Sequence, residues 1–376
     1  MATQTKIDTE KLLQTFLDLV RLDSPSGQEE PVRLYLEKRF HDLGLAFQVD
    51  AAGNLIVKIP GHASKSNLKL VMTGHMDVVP PCIGVNPVVE GKGEDRQIRS
   101  SGDTVLGADD KSGLSPMLEA LAYSLENSLP RPDLLYLITT REEVMLSGAK
   151  EMDKSHYQDA DFAIAFDHTG EQGTLIYEAP TYIKFELTVR GKSVHAGIMP
   201  EKGINAIQIL SRVIEKLHLG RIDENTTSNI GFIRGGKATN IVPDLAIAEG
   251  ELRGHDDARI QKELEHIQTT LKELVGYVDG ASCEYSESVE FTHYQTDPEH
   301  FCIGRVRQAM ESTGLTPKLI RTNGGSDVNV FADNGVPGIV LSAGYIAPHS
   351  TEERVFLKDM VTCTDLILNI WEAFTH

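Results

Sequence analysis

Cysteine is scarce in this chain: Cys82, Cys283, Cys302 and Cys363 are the only four, and no two lie close together. The paired short spacings of a thiolate zinc site are missing, as is the dense pattern of a disulfide framework, so free buried thiols are expected. Basic charge is also short. Lys plus Arg total 36 against 55 Asp plus Glu, a formal charge of −19, which repels phosphate backbones and anionic membrane surfaces. Nucleic acid is therefore not an expected partner. No apolar stretch approaches the ~20 residues that span a bilayer. The polar start of the chain lacks the basic residues, apolar run and small-residue cleavage site of a secretory signal. A cytoplasmic protein without a membrane partner is the expectation.

What is present is enough chain for more than one core. At 376 residues, a prior of ~100 to 200 residues per domain predicts two domains, one inserted into the other. Leu12, Leu13, Phe16, Leu17, Leu19 and Val20 form a helical stripe over residues 9–22, and residues 29–43 carry a second. Short β-rich runs follow at residues 54–59 and 68–73, and buried strands are expected at 134–139 and 162–166, with a helix over 114–125 between them. Such a mixture predicts an α/β layered domain. Beyond Gly173 the texture changes. Residues 182–190 alternate as a half-buried strand, 205–217 form an amphipathic helix, 229–253 read as strands broken by glycines, and 257–278 as another helix. This reads as an inserted α+β unit of about a hundred residues, within the usual domain range. A helix at 299–313, a turn at Gly324-Gly325, a strand at 338–342 and a last helix to Phe374 then complete the first domain. The expected division is 1–180 with 294–376, and 181–293.

Several polar residues stand just past these hydrophobic strands. His75 and Asp77 follow the run ending at Met72, where α/β sheets present ligand-binding groups. They point the same way from a strand, and an aspartate there can accept the second imidazole proton of a metal-bound histidine. Alone, the pair says little. Asp109 and Asp110 lie in the glycine-flanked segment Gly107-Ala108-Asp109-Asp110-Lys111-Ser112-Gly113. Helix capping accounts for one of these acids, but not so simply for both. Glu142 and Glu143 follow the strand ending at Ile138. Either they form an exposed charged loop, or one binds metal while the other moves a proton. Asp167 closes the run that ends at Phe166, and His349 follows the strand ending at Ser342. The joint pattern carries the weight: His, Asp, Glu-Glu, Asp and His, each past a hydrophobic strand in one predicted layer. Hard carboxylate oxygens mixed with neutral imidazoles suit zinc, manganese or cobalt. A carboxylate shared by two metals would hold them ~3.5 to 4 Å apart.

These residues resemble the co-catalytic di-zinc exopeptidase family that includes peptidase T, carboxypeptidase G and the aminoacylases. The resemblance rests on Thr73-Gly74-His75-Met76-Asp77, Gly107 to Lys111, Glu142-Glu143, Asp167, Ser193-Val194-His195-Ala196-Gly197 and Pro348-His349-Ser350, in the family's order. It is strongest toward peptidase T, around Gly107 to Lys111 and Gly324-Gly325-Ser326-Asp327. The implied fold is a zinc-exopeptidase-like catalytic domain, a mixed sheet flanked by helices, with an inserted ferredoxin-like lid and dimerisation domain. The implied cofactors are two zinc ions, with cobalt or manganese as alternatives. His75 and Asp167 would hold one, Glu143 and His349 the other, and Asp109 would bridge them.

In the same resemblance Asp77 orients His75, and Glu142 takes a proton from the bridging water so that metal-bound hydroxide attacks the scissile carbonyl. The peptide between Asp109 and Asp110 would be cis. His195 would stabilise the tetrahedral intermediate, often in a neighbouring subunit. Asn240, Arg253 and Ser326 match substrate-binding positions, an arginine fork being suited to a terminal carboxylate. The resemblance thus implies a tripeptide aminopeptidase-like exopeptidase acting on small peptides, a homodimer through the inserted domain. Two other readings stay open: an N-acyl-amino-acid amidohydrolase, and a catalytically silent dimeric binding protein on the same fold.

Overall fold

The apolar runs of the first domain become neighbouring strands of one mixed sheet. The computed structural model describes residues 7–376; the first six residues of the polar start discussed above lie outside them. The sheet runs Phe47–Val49, Leu55–Ile59, Asp133–Thr139, Lys69–His75, Phe162–His168, Gly338–Ser342, Thr174–Ala179, and Lys318–Arg321 pairs with the last of these. Asp133–Thr139, Lys69–His75, Phe162–His168 and Gly338–Ser342 are parallel to one another, whereas Leu55–Ile59 and Thr174–Ala179 flank them antiparallel. Strands covered on both faces read as continuous hydrophobic runs rather than alternations. Lys69–His75 is such a strand, buried at every residue after Lys69. Because the four strands are parallel, their carboxyl ends open on one edge, which is where α/β sheets bind ligands.

Helix Ala108–Glu126 packs against Thr9–Val20 and against the closing helix Leu357–Ala373. The core beneath it includes Phe16, Phe40, Tyr136, Phe162, Phe166 and Trp371, all essentially without solvent exposure. Asp8 caps the first helix, accepting the Glu10 and Lys11 N–H groups at 3.0 and 3.2 Å, so helix donors left without intrahelical partners are satisfied.

The chain separates into two units. One runs to Glu178 and resumes over Gln295–Thr322 and Ser326–His376; the other is Ala179–Tyr294 with Asn323–Gly325. The second unit has its own sheet, in the order Gly220–Arg221, Thr226–Gly235, Leu245–Gly254, Thr181–Arg190, Ser282–Phe291, antiparallel throughout. Helices Ala206–Lys216 and Asp257–Gly276 pack on it, closing a separate core around Phe185, Leu187, Leu210, Leu252, Leu264 and Leu271. Apart from the two-residue strand Gly220–Arg221 at its edge, the order strand, helix, two strands, helix, strand, with the first strand inside the sheet beside the last, is the ferredoxin-like arrangement that the resemblance implies. Among the described residues, no helix is long and apolar enough to cross a membrane.

Candidate metal centre

The four parallel strand ends deliver their polar residues to one place. His75 is the last residue of its strand and is buried. Its Nδ1 lies 3.0 Å from the carbonyl oxygen of Asp77. A carbonyl can only accept, so Nδ1 carries the proton and, in the neutral ring, Nε2 presents its lone pair. That Nε2 is 3.1 Å from Asp109 Oδ1 and 3.6 Å from Asp167 Oδ1. On the other side, His349 Nε2 is 2.9 Å from Glu143 Oε1 and 3.6 Å from Asp109 Oδ2. Asp109 thus offers one carboxylate oxygen to each imidazole. Single donor atoms of His75, Asp109 and Glu143 all fall within 4.8 Å of one another.

The electrostatics reflect crowded buried acids. Burial pushes the Asp167 carboxyl up to about 8, with the charge of Asp109 in the same direction. Burial and the charge of Asp167 hold Glu142 well above the ordinary carboxyl range, and burial also raises Glu143. Against the opposing effect of burial, hydrogen bonds to His349 and His75 hold Asp109 below that range. Hydrogen bonds to Asp109 and Glu143 push the His349 imidazole up to about 10. Desolvated carboxylates gathered this closely call for positive charge. Carboxylate oxygens and imidazole nitrogens are the donors that divalent metals of the zinc, cobalt and manganese type accept, so the residues fit such ions.

The glutamate pair is held by its backbone. Thr140 N–H donates to Asn54 Oδ1 at 2.9 Å, Arg141 N–H to Glu29 Oε1 at 3.0 Å, Glu142 N–H to Asp77 Oδ1 at 2.9 Å and Glu143 N–H to Asp77 Oδ2 at 3.2 Å. Successive N–H groups are thereby accepted by side chains from three other segments. Ser26 Oγ donates to Asp77 Oδ2 at 2.6 Å. The expectation that Asp77 orients His75 acquires a second part: its carboxylate, 3.4 Å from Nδ1, mainly fixes the loop carrying Glu142 and Glu143. Glu29 and Asn54 were not singled out by their sequence context. The one signal for them is acidic or amide character at positions that are buried here, Glu29 at 6% and Asn54 at 0% exposure.

Asp109 and Asp110 sit at the start of helix Ala108–Glu126 with non-helical dihedrals, and the peptide between them is cis. Two glycines make room for Asp110: a Cβ at Gly74 would stand 2.5 Å from its Oδ2 and one at Gly113 2.3 Å from its Oδ1. The remaining residues singled out from the sequence make contacts of their own. Ser326 is the buried N-cap of helix Asp327–Asp333, its N–H donating to Asn329 Oδ1 at 3.1 Å. His195, Asn240 and Arg253 belong to the second unit. There Ala196 N–H donates to the Asn240 carbonyl at 2.9 Å. His195 Nδ1 accepts the Gly197 N–H at 3.1 Å, which leaves the ring proton on the exposed Nε2 side. Arg253 is engaged by the Glu251 carboxylate, 3.2 Å from Nε and from Nη2, by the Asn323 carbonyl at 2.9 Å, and by the Tyr182 ring, 4.1 Å from its centroid.

Asp327 adds a titrating group. Thr139 Oγ1 donates to its Oδ2 at 2.5 Å, and burial pushes its carboxyl up from 3.8 to about 6, Asp77 adding to the rise. A folded-state value above the unfolded one means that the native state keeps a proton the unfolded chain has released. Stability is therefore lost as pH rises from about 4 to about 6 and stays lowered above. Asp327→Asn removes this titration and can still accept from Thr139. Denaturant unfolding should find the variant more stable than the parent by about 1–3 kcal/mol at pH 7 to 8, with the advantage gone below pH 4. A variant that is weaker at neutral pH would reject this account.

The chain matches the family model of the M20 peptidase dimerisation domain over residues 177–278 and that of peptidase family M28 over residues 54–197. It is 34% identical over 374 residues to uncharacterised protein YqjE of Bacillus subtilis (strain 168), with 97% of this chain and 99% of that protein covered. Among solved structures, a tripeptidase from Staphylococcus aureus gives a TM-score of 0.93 at 34% identity, covering 98% of this chain and 99% of that one. An aminopeptidase PepT from Bacillus cereus ATCC 10987 gives 0.90 at 33% identity, covering 99% and 100%.

Proposed function

Because the chain belongs to the peptidase T-like M20 exopeptidase family and is a peptidase, we propose that it removes residues from the free amino end of short peptides, tripeptides among them, using two divalent metals. His75 and Asp167 would hold one ion, Glu143 and His349 the other, and Asp109 would serve both, with zinc as the metal. The observation that carries this reading is the placement of Asp109, whose two carboxylate oxygens face different imidazoles at 3.1 and 3.6 Å. Metals bound here would polarise a peptide carbonyl and lower the pKa of a water.

The chain's own residues would do the rest. Glu142, not among the proposed ligands, takes a proton as water adds to the carbonyl and returns it to the leaving amine. Its raised carboxyl suits a group that must hold a proton during turnover. Asp77 fixes both the imidazole tautomer of His75 and the backbone of Glu142 and Glu143. His195, with its outward Nε2 proton, is proposed to donate to the developing oxyanion, an interaction typically worth ~3 kcal/mol. Asn240 and Ser326 would each bind substrate polar groups. A substrate carboxylate at Arg253 would compete with Glu251 for the guanidinium. Homodimerisation through residues 181–293 and a cytoplasmic location belong to the same reading.

One experiment tests the reaction class: metal analysis of the purified protein beside turnover of di- and tripeptides with free and acetylated amino termini, with Zn2+, Co2+ or Mn2+ supplied. The expected result is about two metals per chain, by the two-metal geometry invoked here, and turnover that disappears on acetylation. Preference for acylated substrates would replace the aminopeptidase reading with an amidohydrolase, and no turnover of any substrate would leave a silent binding protein.

A further inference from the structure

The loop bearing His349 is closed at its base, where Ile346 and Arg354 exchange N–H···O bonds of 2.8 and 3.1 Å. Inside it, Ala347 and His349 have φ of +55° and +58°. Side chains other than glycine seldom adopt that region, and it persists only where the surroundings over-determine it. Ser350 Oγ donates to the Ala347 carbonyl at 2.8 Å and Glu353 N–H to the Ser350 carbonyl at 3.1 Å. The decisive anchor is the Glu353 side chain. It is 1% exposed; its Oε2 accepts the Gly107 N–H at 2.7 Å and its Oε1 the Asp109 N–H at 3.0 Å.

Those two donors open helix Ala108–Glu126, whose first N–H groups have no intrahelical partner. Gly107, with φ of +77°, occupies the N-cap and has no side chain to offer. A remote carboxylate supplies the missing cap, and capping alone would make Glu353 a stabilising residue. Its place in the chain suggests more. Glu353 stands four positions after His349 and binds the backbone of Asp109 itself, so one rigid carboxylate joins the two segments whose side chains meet at 3.6 Å.

We propose that Glu353 is a positioning residue that locks the His349 loop to the Asp109 turn and so sets the metal affinity of the site. The inference rests on the assignment of Asp109 and His349 as ligands. Loss of such outer partners typically weakens metal binding by about 10–100-fold. Zn2+ affinity is measured by competition with a chromogenic chelator, and site geometry by the visible absorption of the Co2+-loaded protein, for the parent, Glu353→Ala, Glu353→Gln, His349→Ala and Leu121→Ala. Leu121, fully buried far along the same helix, serves as a destabilised control.

Glu353→Ala should bind Zn2+ about 10–100-fold more weakly and change the Co2+ spectrum. Glu353→Gln should fall between, since an NH2 group, which can only donate, replaces one of the two oxygens that each accept an N–H, and it carries the test if the alanine variant does not fold. Leu121→Ala should lose thermal stability at parental affinity. Parental affinity and spectrum in both Glu353 variants would overturn the positioning role, as would equal weakening by Leu121→Ala. If the parent takes up no Zn2+, or His349→Ala binds as the parent does, the ligand assignment fails and this inference with it.

Discussion

Glu142→Gln is expected to lower kcat by about 10²–10⁴-fold, the usual contribution of a general acid–base group, while the metal content of the purified protein stays at the parental level. The substitution is isosteric, and the hydrogen bond that fixes this residue runs from its backbone N–H to Asp77 Oδ1, so the loop should survive. Glu143, by contrast, lies 2.9 Å from His349 Nε2, and the same change there should reduce bound metal. The adjacent glutamates are thus separable by one pair of measurements, kcat and metal stoichiometry. Retained turnover in Glu142→Gln would remove it from the reaction. Loss of metal in Glu142→Gln with metal retained in Glu143→Gln would exchange the two roles.

The sequence made the site legible for a physical reason. A parallel strand buried on both faces must be a hydrophobic run, so the polar residue that ends the run marks the sheet edge where ligands bind. His75, Glu142, Asp167 and His349 could each be located in that way, and the order of the strands then brings them together. The boundary of helix Ala108–Glu126 was harder. A turn with the helix beginning near Leu114 is what Gly107 to Gly113 suggests, whereas the helix starts at Ala108 with Asp109 and Asp110 off helical dihedrals. Short elements whose pattern is too brief to declare a period also stayed hidden, such as Lys318–Arg321 and helix Asp327–Asp333. Least legible were Glu29, Asn54 and Glu353. Their partners are backbone N–H groups far along the chain, which leave no residue pattern to recognise. Glu29 reads as the start of an amphipathic helix, and only the fold shows that it holds the loop of Glu142.

Asp109→Asn is expected to have the broadest effect on the proposed centre. Asparagine keeps the size of the side chain but replaces one charged oxygen with an NH2 group, which can donate and cannot ligate a cation. If Asp109 serves both ions, whichever way the amide turns, one imidazole loses its companion oxygen and the other keeps a weaker, neutral one. Both occupancies should therefore fall, unlike His349→Ala, which should weaken one site first. Metal polarisation supplies several kcal/mol of transition-state stabilisation, so activity should drop by at least about 10³-fold at 1.36 kcal/mol per decade. The Glu353 hydrogen bond goes to the Asp109 backbone N–H, and it should hold the turn in place, so the loss is one of ligation rather than folding. Zinc titration of the two variants, followed by calorimetry and by stoichiometry after gel filtration, distinguishes these patterns. An Asp109→Asn protein that still binds the parental number of ions with parental affinity would show that each ion is held without it, and the shared-carboxylate arrangement would have to be abandoned.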